Sequence, residues 1–182
     1  NKIVTGEKLS STKITNSGNF SAKDIVTTDI SNSGKLLSKN INTNSLNNLG
    51  EVSSENLTTT NLENSNKINV KENINSNSVV NKTSNSEIIS KNLNSNNLDN
   101  KGSISVINSV NSGVITNNGK LLVGNIINSQ NLTNTVTVQG KTLDIKNKIN
   151  SSGKILSDNF ANLFCFGHNV FEHLCSNHTG SV

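Results

Sequence analysis

The chain repeats one short pattern: an asparagine, a glycine two residues later and an apolar residue two further. The pattern recurs every sixteen or seventeen residues along most of the sequence. Five copies are complete, namely Asn16-Gly18-Phe20, Asn32-Gly34-Leu36, Asn48-Gly50-Val52, Asn100-Gly102-Ile104 and Asn117-Gly119-Leu121. Three more carry one substitution each: Asn64-Asn66-Ile68, Asn134-Val136-Val138 and Ser151-Gly153-Ile155. A unit this short cannot bury a hydrophobic face alone, so neighbouring units must stack on one another.

Apolar residues fall into three columns when the units are aligned on the position after the glycine. The first column is Val4, Phe20, Leu36, Val52, Ile68, Ile88, Ile104, Leu121, Val138 and Ile155. The second, usually five positions later, is Leu9, Ile25, Ile41, Leu57, Ile74, Leu93, Val110, Ile126, Leu143 and Phe160. The third, about ten positions later, is Ile14, Ile30, Leu46, Leu62, Val79, Leu98, Ile115, Leu132 and Ile149. Three columns predict three faces around a shared core.

A fourth column of mostly small residues lies two positions after the first apolar column. It contains Ala22, Ser38, Ser54, Val70, Ser90, Val106, Val123, Gly140 and Ser157. Alternation of this kind is typical of a strand whose alternate side chains point inward. The other apolar positions are β-branched or leucine, and the chain contains no proline. We therefore predict an all-β fold in which residues 1–157 form a parallel β-helix, a solenoid of about ten coils with three short strands each.

Glycine and asparagine occupy the turns between coils. Glycine reaches positive φ without steric cost, and asparagine also tolerates the left-handed region. Asparagine dominates one column four residues before the first apolar column and another four residues after it. The second of these columns contains Asn40, Asn56, Asn92, Asn108, Asn125 and Asn159. Because coils stack about 4.8 Å apart, these amides are predicted to form hydrogen-bonded ladders.

One coil is longer than the others. The step from Ile68 to Ile88 is twenty residues, which predicts about four extra residues in a loop between Asn73 and Asn85.

Composition narrows the classes of partner. With 38 asparagines, 31% hydrophobic residues and 3% aromatic residues, composition alone favours disorder, but the strict periodicity overrides it. The net charge is +4 and no arginine is present, so the arginine and aromatic contacts typical of nucleic-acid binding are missing. No run approaches the roughly twenty apolar residues of a membrane-spanning helix. The chain has no methionine and no signal peptide, so we expect it to be a segment of a longer protein.

Charged residues are predicted to form surface ladders. Lys35, Glu51, Lys67 and Glu87 share one column with alternating sign, which favours cross-strand ion pairs. Parallel β-helices also include polysaccharide lyases and hydrolases, which need converging carboxylates. The nearest such pairs are Glu7 with Asp24 and Glu55 with Glu72, each one coil apart. Lys23, Lys39, Lys71 and Lys91 share a column with Glu7 and Glu55, so surface pairing is the preferred interpretation and no catalytic residue is assigned.

Asparagine residues in Asn-x-Ser/Thr sequences are plentiful. Examples are Asn19-Phe20-Ser21, Asn56-Leu57-Thr58, Asn81-Lys82-Thr83 and Asn131-Leu132-Thr133. Such acceptors arise by chance in a chain this rich in the three residue types, and glycosylation is the less favoured interpretation.

The tail has a different sequence character. Phe160, Leu163, Phe164, Gly167, Val170, Phe171 and Leu174 fall on one face at a helical period. This pattern predicts that residues 158–182 form an amphipathic helical cap and tail, starting at Ser157 or Asp158 and covering the open end of the solenoid. The tail also holds two Cys-x-x-His pairs that resemble metal-ligand spacing: Cys165 with His168, and Cys175 with His178. A continuous helix would separate the two cysteines by about 15 Å, so separate surface side chains are preferred over a metal site or a disulfide. Foreign or out-of-frame sequence is a third alternative.

The iterated Asn-x-Gly-x-aliphatic-x-small pattern of residues 1–157 resembles the haemagglutinin repeats of filamentous haemagglutinin and of contact-dependent growth-inhibition exoproteins. The resemblance implies a right-handed parallel β-helix, export through an outer-membrane two-partner transporter, and a place at the bacterial cell surface. It also implies a structural stalk or adhesive role, with a receptor or glycan on a host or neighbouring cell as the partner. The coils here are shorter than the family's usual repeat, and neither its secretion domain nor a toxin domain is recognisable. We expect no enzyme activity and no cofactor; the alternative is a carbohydrate-active β-helix enzyme.

Overall fold

Parallel strands wind into a solenoid of about nine turns in the computed structural model, which describes residues 7–161. Every strand pair within this range is parallel, as the repeat predicts. The strands are β1 Lys8–Asn16, β2 Asn19–Asn32, β3 Lys35–Asn48, β4 Glu51–Asn64, β5 Lys67–Asn81, β6 Glu87–Asn100, β7 Ser103–Asn117, β8 Lys120–Val123, β9 Ile126–Asn134, β10 Thr137–Gln139, β11 Thr142–Ser151, β12 Lys154–Leu156 and β13 Asn159–Ala161.

Each early turn is one long strand, where three short strands were predicted. In β3, residues 35–48 run through all three faces without a break, because hydrogen bonds to the neighbouring turns continue around the bends. The later turns are divided in two. There β7 pairs with both β8 and β9, and the pairs β8–β10, β9–β11, β10–β12 and β11–β13 follow.

The predicted apolar columns form the core. Register pairs Leu36 with Val52 and Leu46 with Leu62, so each column stacks on itself from turn to turn. The column residues of the central turns are almost fully buried, and so is the small column at Ala22, Ser38, Ser54, Val70, Ser90, Val106 and Val123. The turns therefore share one continuous core, as predicted.

One core assignment from the sequence is wrong. Ile126 was placed in the second apolar column, but it is 39% exposed, whereas Ile127 is fully buried. Ile127 pairs with Val110 on one side and Leu143 on the other. Three of the described turns, including this one, take six residues instead of five between their first and second core positions, and here the second of two adjacent isoleucines fills the core position.

The asparagine column before each coil forms a buried ladder. The Nδ2 of each residue donates to the Oδ1 of the asparagine one turn later, at 2.7–2.9 Å, in the series Asn16, Asn32, Asn48, Asn64, Asn81, Asn100, Asn117 and Asn134. Asn134 ends the series by donating to the Ser151 hydroxyl at 3.1 Å. From Asn32 to Asn134 these side chains are at most 1% exposed. The predicted ladder is confirmed, and it lies inside the protein.

The glycines at the turns are needed for a different reason than predicted. No glycine of the described residues has a φ between +20° and +160°, the left-handed range. Instead, a Cβ on Gly34 would lie 2.1 Å from the carbonyl oxygen of Gly18, and one on Gly50 would lie 2.1 Å from that of Gly34. In one turn Asn66 replaces the glycine. The backbone hydrogen bond that follows it, from Lys67 N to Gly50 O, is 3.2 Å long. The equivalent bond after a glycine, from Glu51 N to Gly34 O, is shorter, at 2.8 Å. The glycine column therefore lets consecutive turns approach closely.

The long coil carries most of its extra residues at one turn. Residues 82–86 connect β5 to β6, where most turns have only two residues between strands. A further residue is absorbed where the register shifts between Asn69 and Asn73. Asn81 keeps its place in the buried ladder by donating to the Ser86 carbonyl. The predicted insertion is confirmed, and its main part lies after Asn81.

The solenoid continues past residue 157. β13 is a strand that pairs with β11, with Phe160 opposite Leu143 as the second column predicts. The helix predicted to begin at 158 is therefore wrong for residues 158–161, because Phe160 already has a place in the stack. The rest of the predicted cap, residues 162–182, lies outside the described residues.

Candidate functional site

A shallow polar groove runs along the solenoid at the bend between its second and third faces. It has a volume of about 620 Å³ and crosses six turns, from β4 to β11. Its fifteen lining residues, hereafter the polar groove, are Thr58, Thr59, Asn75, Ser76, Asn77, Asn94, Ser95, Asn96, Asn111, Ser112, Gly113, Asn128, Ser129, Gln130 and Lys146. Seven of these carry side-chain amides and six carry hydroxyls, so the surface is polar with one charged residue, at its end.

Hydroxyl side chains form the floor of the polar groove. Thr59, Ser112 and Ser129 are buried at the bend, where each donates to the backbone carbonyl two residues later. Thr59 and Ser129 also donate to a carbonyl of the preceding turn. These short side chains satisfy backbone acceptors at the corner. The floor is therefore low and rigid.

Longer amide side chains form the two rims. On one rim, Asn94 donates to the Oδ1 of Asn75 at 2.8 Å, and Asn111 donates to the Oδ1 of Asn94 at 2.9 Å. On the other, Asn96 donates to the Oδ1 of Asn77. Because the rim amides reach further out than the floor hydroxyls, the bend becomes a trough lined with ordered donors and acceptors.

A third amide ladder confirms the other predicted column from Asn40 to Asn108, whereas Asn159, also predicted for this column, stands opposite Thr142. Asn56, Asn73, Asn92 and Asn108 each donate to the Oδ1 of the asparagine one turn earlier, at 2.9–3.4 Å. This ladder starts where Asn40 donates to the Asp24 carboxylate at 2.7 Å. It lies half-exposed at the bend between the first and second faces. Its amides donate to the preceding turn, whereas those of the buried ladder donate to the following turn.

A second groove, with a volume of about 470 Å³, lies beside this ladder. Lys23, Lys39 and Lys71 line it together with Glu55 and the exposed Leu37. The ammonium group of Lys39 lies 3.9 Å from the Glu55 carboxylate. Lysines and a glutamate therefore share this surface, as the predicted charge ladder requires.

Three of the four carboxylates considered for catalysis lie in ion pairs or in a ladder. Glu55 pairs with Lys39, Glu72 pairs with Lys91, and the Asp24 carboxylate accepts the Asn40 amide. Glu7 is exposed, and its main-chain carbonyl accepts the Asp24 N–H at 2.9 Å. The predicted column pairs are also present: Lys35 with Glu51 and Lys67 with Glu87, each at 3.1 Å and each well exposed. Pairs of this kind contribute little to stability.

The predicted metal candidates Cys165, His168, Cys175 and His178 lie outside the described residues. Within residues 7–161, no group of three or more histidine, cysteine or acidic side chains is placed to hold a metal ion. The same residues contain no helix long and apolar enough to cross a membrane.

The candidate glycosylation acceptors differ in accessibility. Asn19 is exposed, and Asn56 and Asn131 are partly exposed. Asn81 is fully buried in the asparagine ladder. A glycan on Asn81 is therefore incompatible with the folded solenoid.

The polar groove was not predicted from the sequence, although a signal exists. An apolar residue followed by Asn-Ser-Asn begins at Ile74 and at Leu93, and related Asn-Ser-x sequences follow Val110 and Ile127. Alternation places the two flanking residues outward and the serine inward. Recognising the trough also requires the bend angle, which the sequence pattern does not contain.

Comparison with known proteins gives no further assignment, since no family model, curated protein or solved structure matches the chain. The resemblance to haemagglutinin repeats thus stays a prediction, whereas the β-solenoid rests on the structure itself.

Proposed function

We propose that this chain is a stalk and adhesive segment of a large exported bacterial surface protein, of the filamentous-haemagglutinin or contact-dependent growth-inhibition type. The observation that carries the proposal is the unbroken stacking of about nine turns around one buried asparagine ladder. Nine turns at about 4.8 Å each make a rod roughly 43 Å long. A rod of this kind can hold distal elements away from a cell.

Stiffness is supported by the way the turns are joined. Successive turns share backbone pairing on all three faces, a continuous aliphatic core and the buried ladder. Bending the rod would stretch the bonds of one face, and the buried amides have no water to replace a lost partner. We infer that the rod transmits force along its axis.

Export to the cell surface fits the topology. The strands of each described turn pair only with those of the turns before and after it, so folding can propagate along the chain. A chain leaving a two-partner transporter could therefore fold turn by turn outside the cell. The coils also contain no cysteine, since both cysteines lie in the tail.

Adhesion is supported by outward-facing residues that repeat from turn to turn. A face that repeats similar groups every turn can make many weak contacts at once, and tethering raises the total strength of binding far above that of one contact. The proposed partner is a receptor or glycan on a host or neighbouring cell.

The test is adhesion of beads coated with the full chain at increasing surface density. We expect beads to bind target cells, with adhesion rising more steeply than density because contacts are multivalent. Beads coated with the chemically denatured chain serve as the matched control. Adhesion no greater than that control at any density, on host and bacterial cells alike, would contradict the proposal.

A further inference from the structure

We propose that the polar groove binds an extended, uncharged polysaccharide whose chain lies parallel to the solenoid axis. The inference rests on the proposed adhesive function and names its ligand class.

The Asn94 amide, in the middle of one rim, retains half of its hydrogen-bonding capacity. Asn94 uses one N–H on Asn75 and one oxygen lone pair on Asn111. A side-chain amide has two N–H donors and two lone pairs, so one of each remains. Sugar hydroxyls are also donors and acceptors at once, and a pair of neighbouring hydroxyls can engage such an amide through both groups. The ladder also fixes the amide orientation in advance, which lowers the entropic cost of binding.

The charge of the groove selects an uncharged ligand. Fourteen of its fifteen lining residues are uncharged, and the exception, Lys146, lies at the end. A sulfated or carboxylated polymer would need cations along its length, and those are concentrated in the lysine-lined second groove. An apolar peptide would find few hydrophobic contacts here. Neutral hydroxyl-rich polymers are the class that matches.

Spacing favours an extended polymer. Asn75, Asn94, Asn111 and Asn128 stand opposite one another in register on consecutive turns. Equivalent amides therefore recur about every 4.8 Å over four turns, a length of roughly 14 Å, within a groove that crosses six turns. The rise per sugar of an extended β-1,4-linked glycan is close to this spacing, and because alternate sugars are flipped, equivalent hydroxyls meet the amides of every second turn. A helical α-linked glucan curves away from a straight groove.

Titration calorimetry of the full chain with defined oligosaccharides tests the assignment. The probes are cellohexaose and chitohexaose as extended neutral ligands, maltohexaose as a curved neutral ligand, and a heparin hexasaccharide as an anionic ligand. We expect saturable binding of at least one extended neutral probe, little binding of maltohexaose, and an affinity that is insensitive to sodium chloride.

Two double variants separate the groove from the rest of the surface. Asn94→Ala with Asn111→Ala removes two rim amides and is expected to weaken binding about tenfold or more, since several hydrogen bonds are lost. Asn40→Ala with Asn56→Ala removes two amides of the ladder at the other bend and is expected to leave affinity unchanged. Circular dichroism verifies that both variants stay folded.

Three results would overturn the assignment: no saturable binding of either extended neutral probe, salt-sensitive binding of heparin alone, or equal losses in the two variants. Bead adhesion that persists alongside any of these would leave the adhesive function standing and remove only the glycan assignment. Loss of adhesion itself would be seen in the bead assay, independently of these titrations.

Discussion

Replacing Asn48 by alanine removes one rung from the middle of the buried ladder. Its Nδ2 lies 2.8 Å from the Gly50 carbonyl oxygen, 2.9 Å from the Asn64 Oδ1 and 3.0 Å from the Lys67 carbonyl oxygen. Its Oδ1 accepts from the Asn32 Nδ2 at 2.8 Å and from the Gly50 N–H at 3.2 Å. A single side chain of β3 therefore contacts β2, β4 and β5.

The expected cost follows from these five contacts. A hydrogen bond contributes about 1 kcal/mol net, and a buried group left without a partner costs more, so Asn48→Ala should lower the free energy of unfolding by about 3–5 kcal/mol. This is a large part of the roughly 5–15 kcal/mol typical of a folded domain. Asn48→Asp should be at least as damaging, because a carboxylate oxygen would replace the donor facing three oxygens in a buried site.

Urea unfolding of the full chain, followed by far-ultraviolet circular dichroism, measures the effect. Asn44→Ala is the matched control, because Asn44 is an exposed asparagine in the same strand, β3. Turns of a solenoid can open separately, so hydrogen exchange should show lost protection centred on β3 and β4. If Asn48→Ala costs no more than the control, within about 0.5 kcal/mol, the ladder does not stabilise the fold as argued.

Three further comparisons test other parts of the structure. Gly34→Ala should lower the free energy of unfolding by about 1–3 kcal/mol, because the added Cβ would lie 2.1 Å from a backbone carbonyl oxygen. Gly18→Ala should be tolerated, because nothing lies within 4 Å of its added Cβ. Equal thermal melting temperatures for the two variants would refute this account. Ile127→Ala should cost about 2–5 kcal/mol, and Ile126→Ala under about 0.5 kcal/mol; chemical denaturation giving the reverse order would place the wrong isoleucine in the core. Glu87→Gln should cost less than about 1 kcal/mol, since its ion pair is exposed, and 1 M sodium chloride should abolish the difference from wild type in the same assay.

Much of the fold could be predicted from the repeat, because each position in a coil has one task. The stacking of Leu36 on Val52, the Asn32–Asn48 ladder contact and the Lys67–Glu87 pair all follow from aligning the copies. The prediction was wrong where two adjacent isoleucines compete for one core position. Alignment alone could not show whether Ile126 or Ile127 would turn inward, since either assignment keeps an apolar residue in the column.

The sequence by itself determined that the chain stacks, where its core columns lie and which asparagines line up. These follow from a strict period and from strand alternation, which are properties of the chain taken in order. Only the tertiary structure decided that glycine is required at the turns by the close approach of the preceding turn. It also decided that one asparagine ladder is buried while the others face solvent, and that Asn-Ser-Asn segments line a groove. Each of these depends on distances between turns and on the angle at the bends, which arise when successive coils pair.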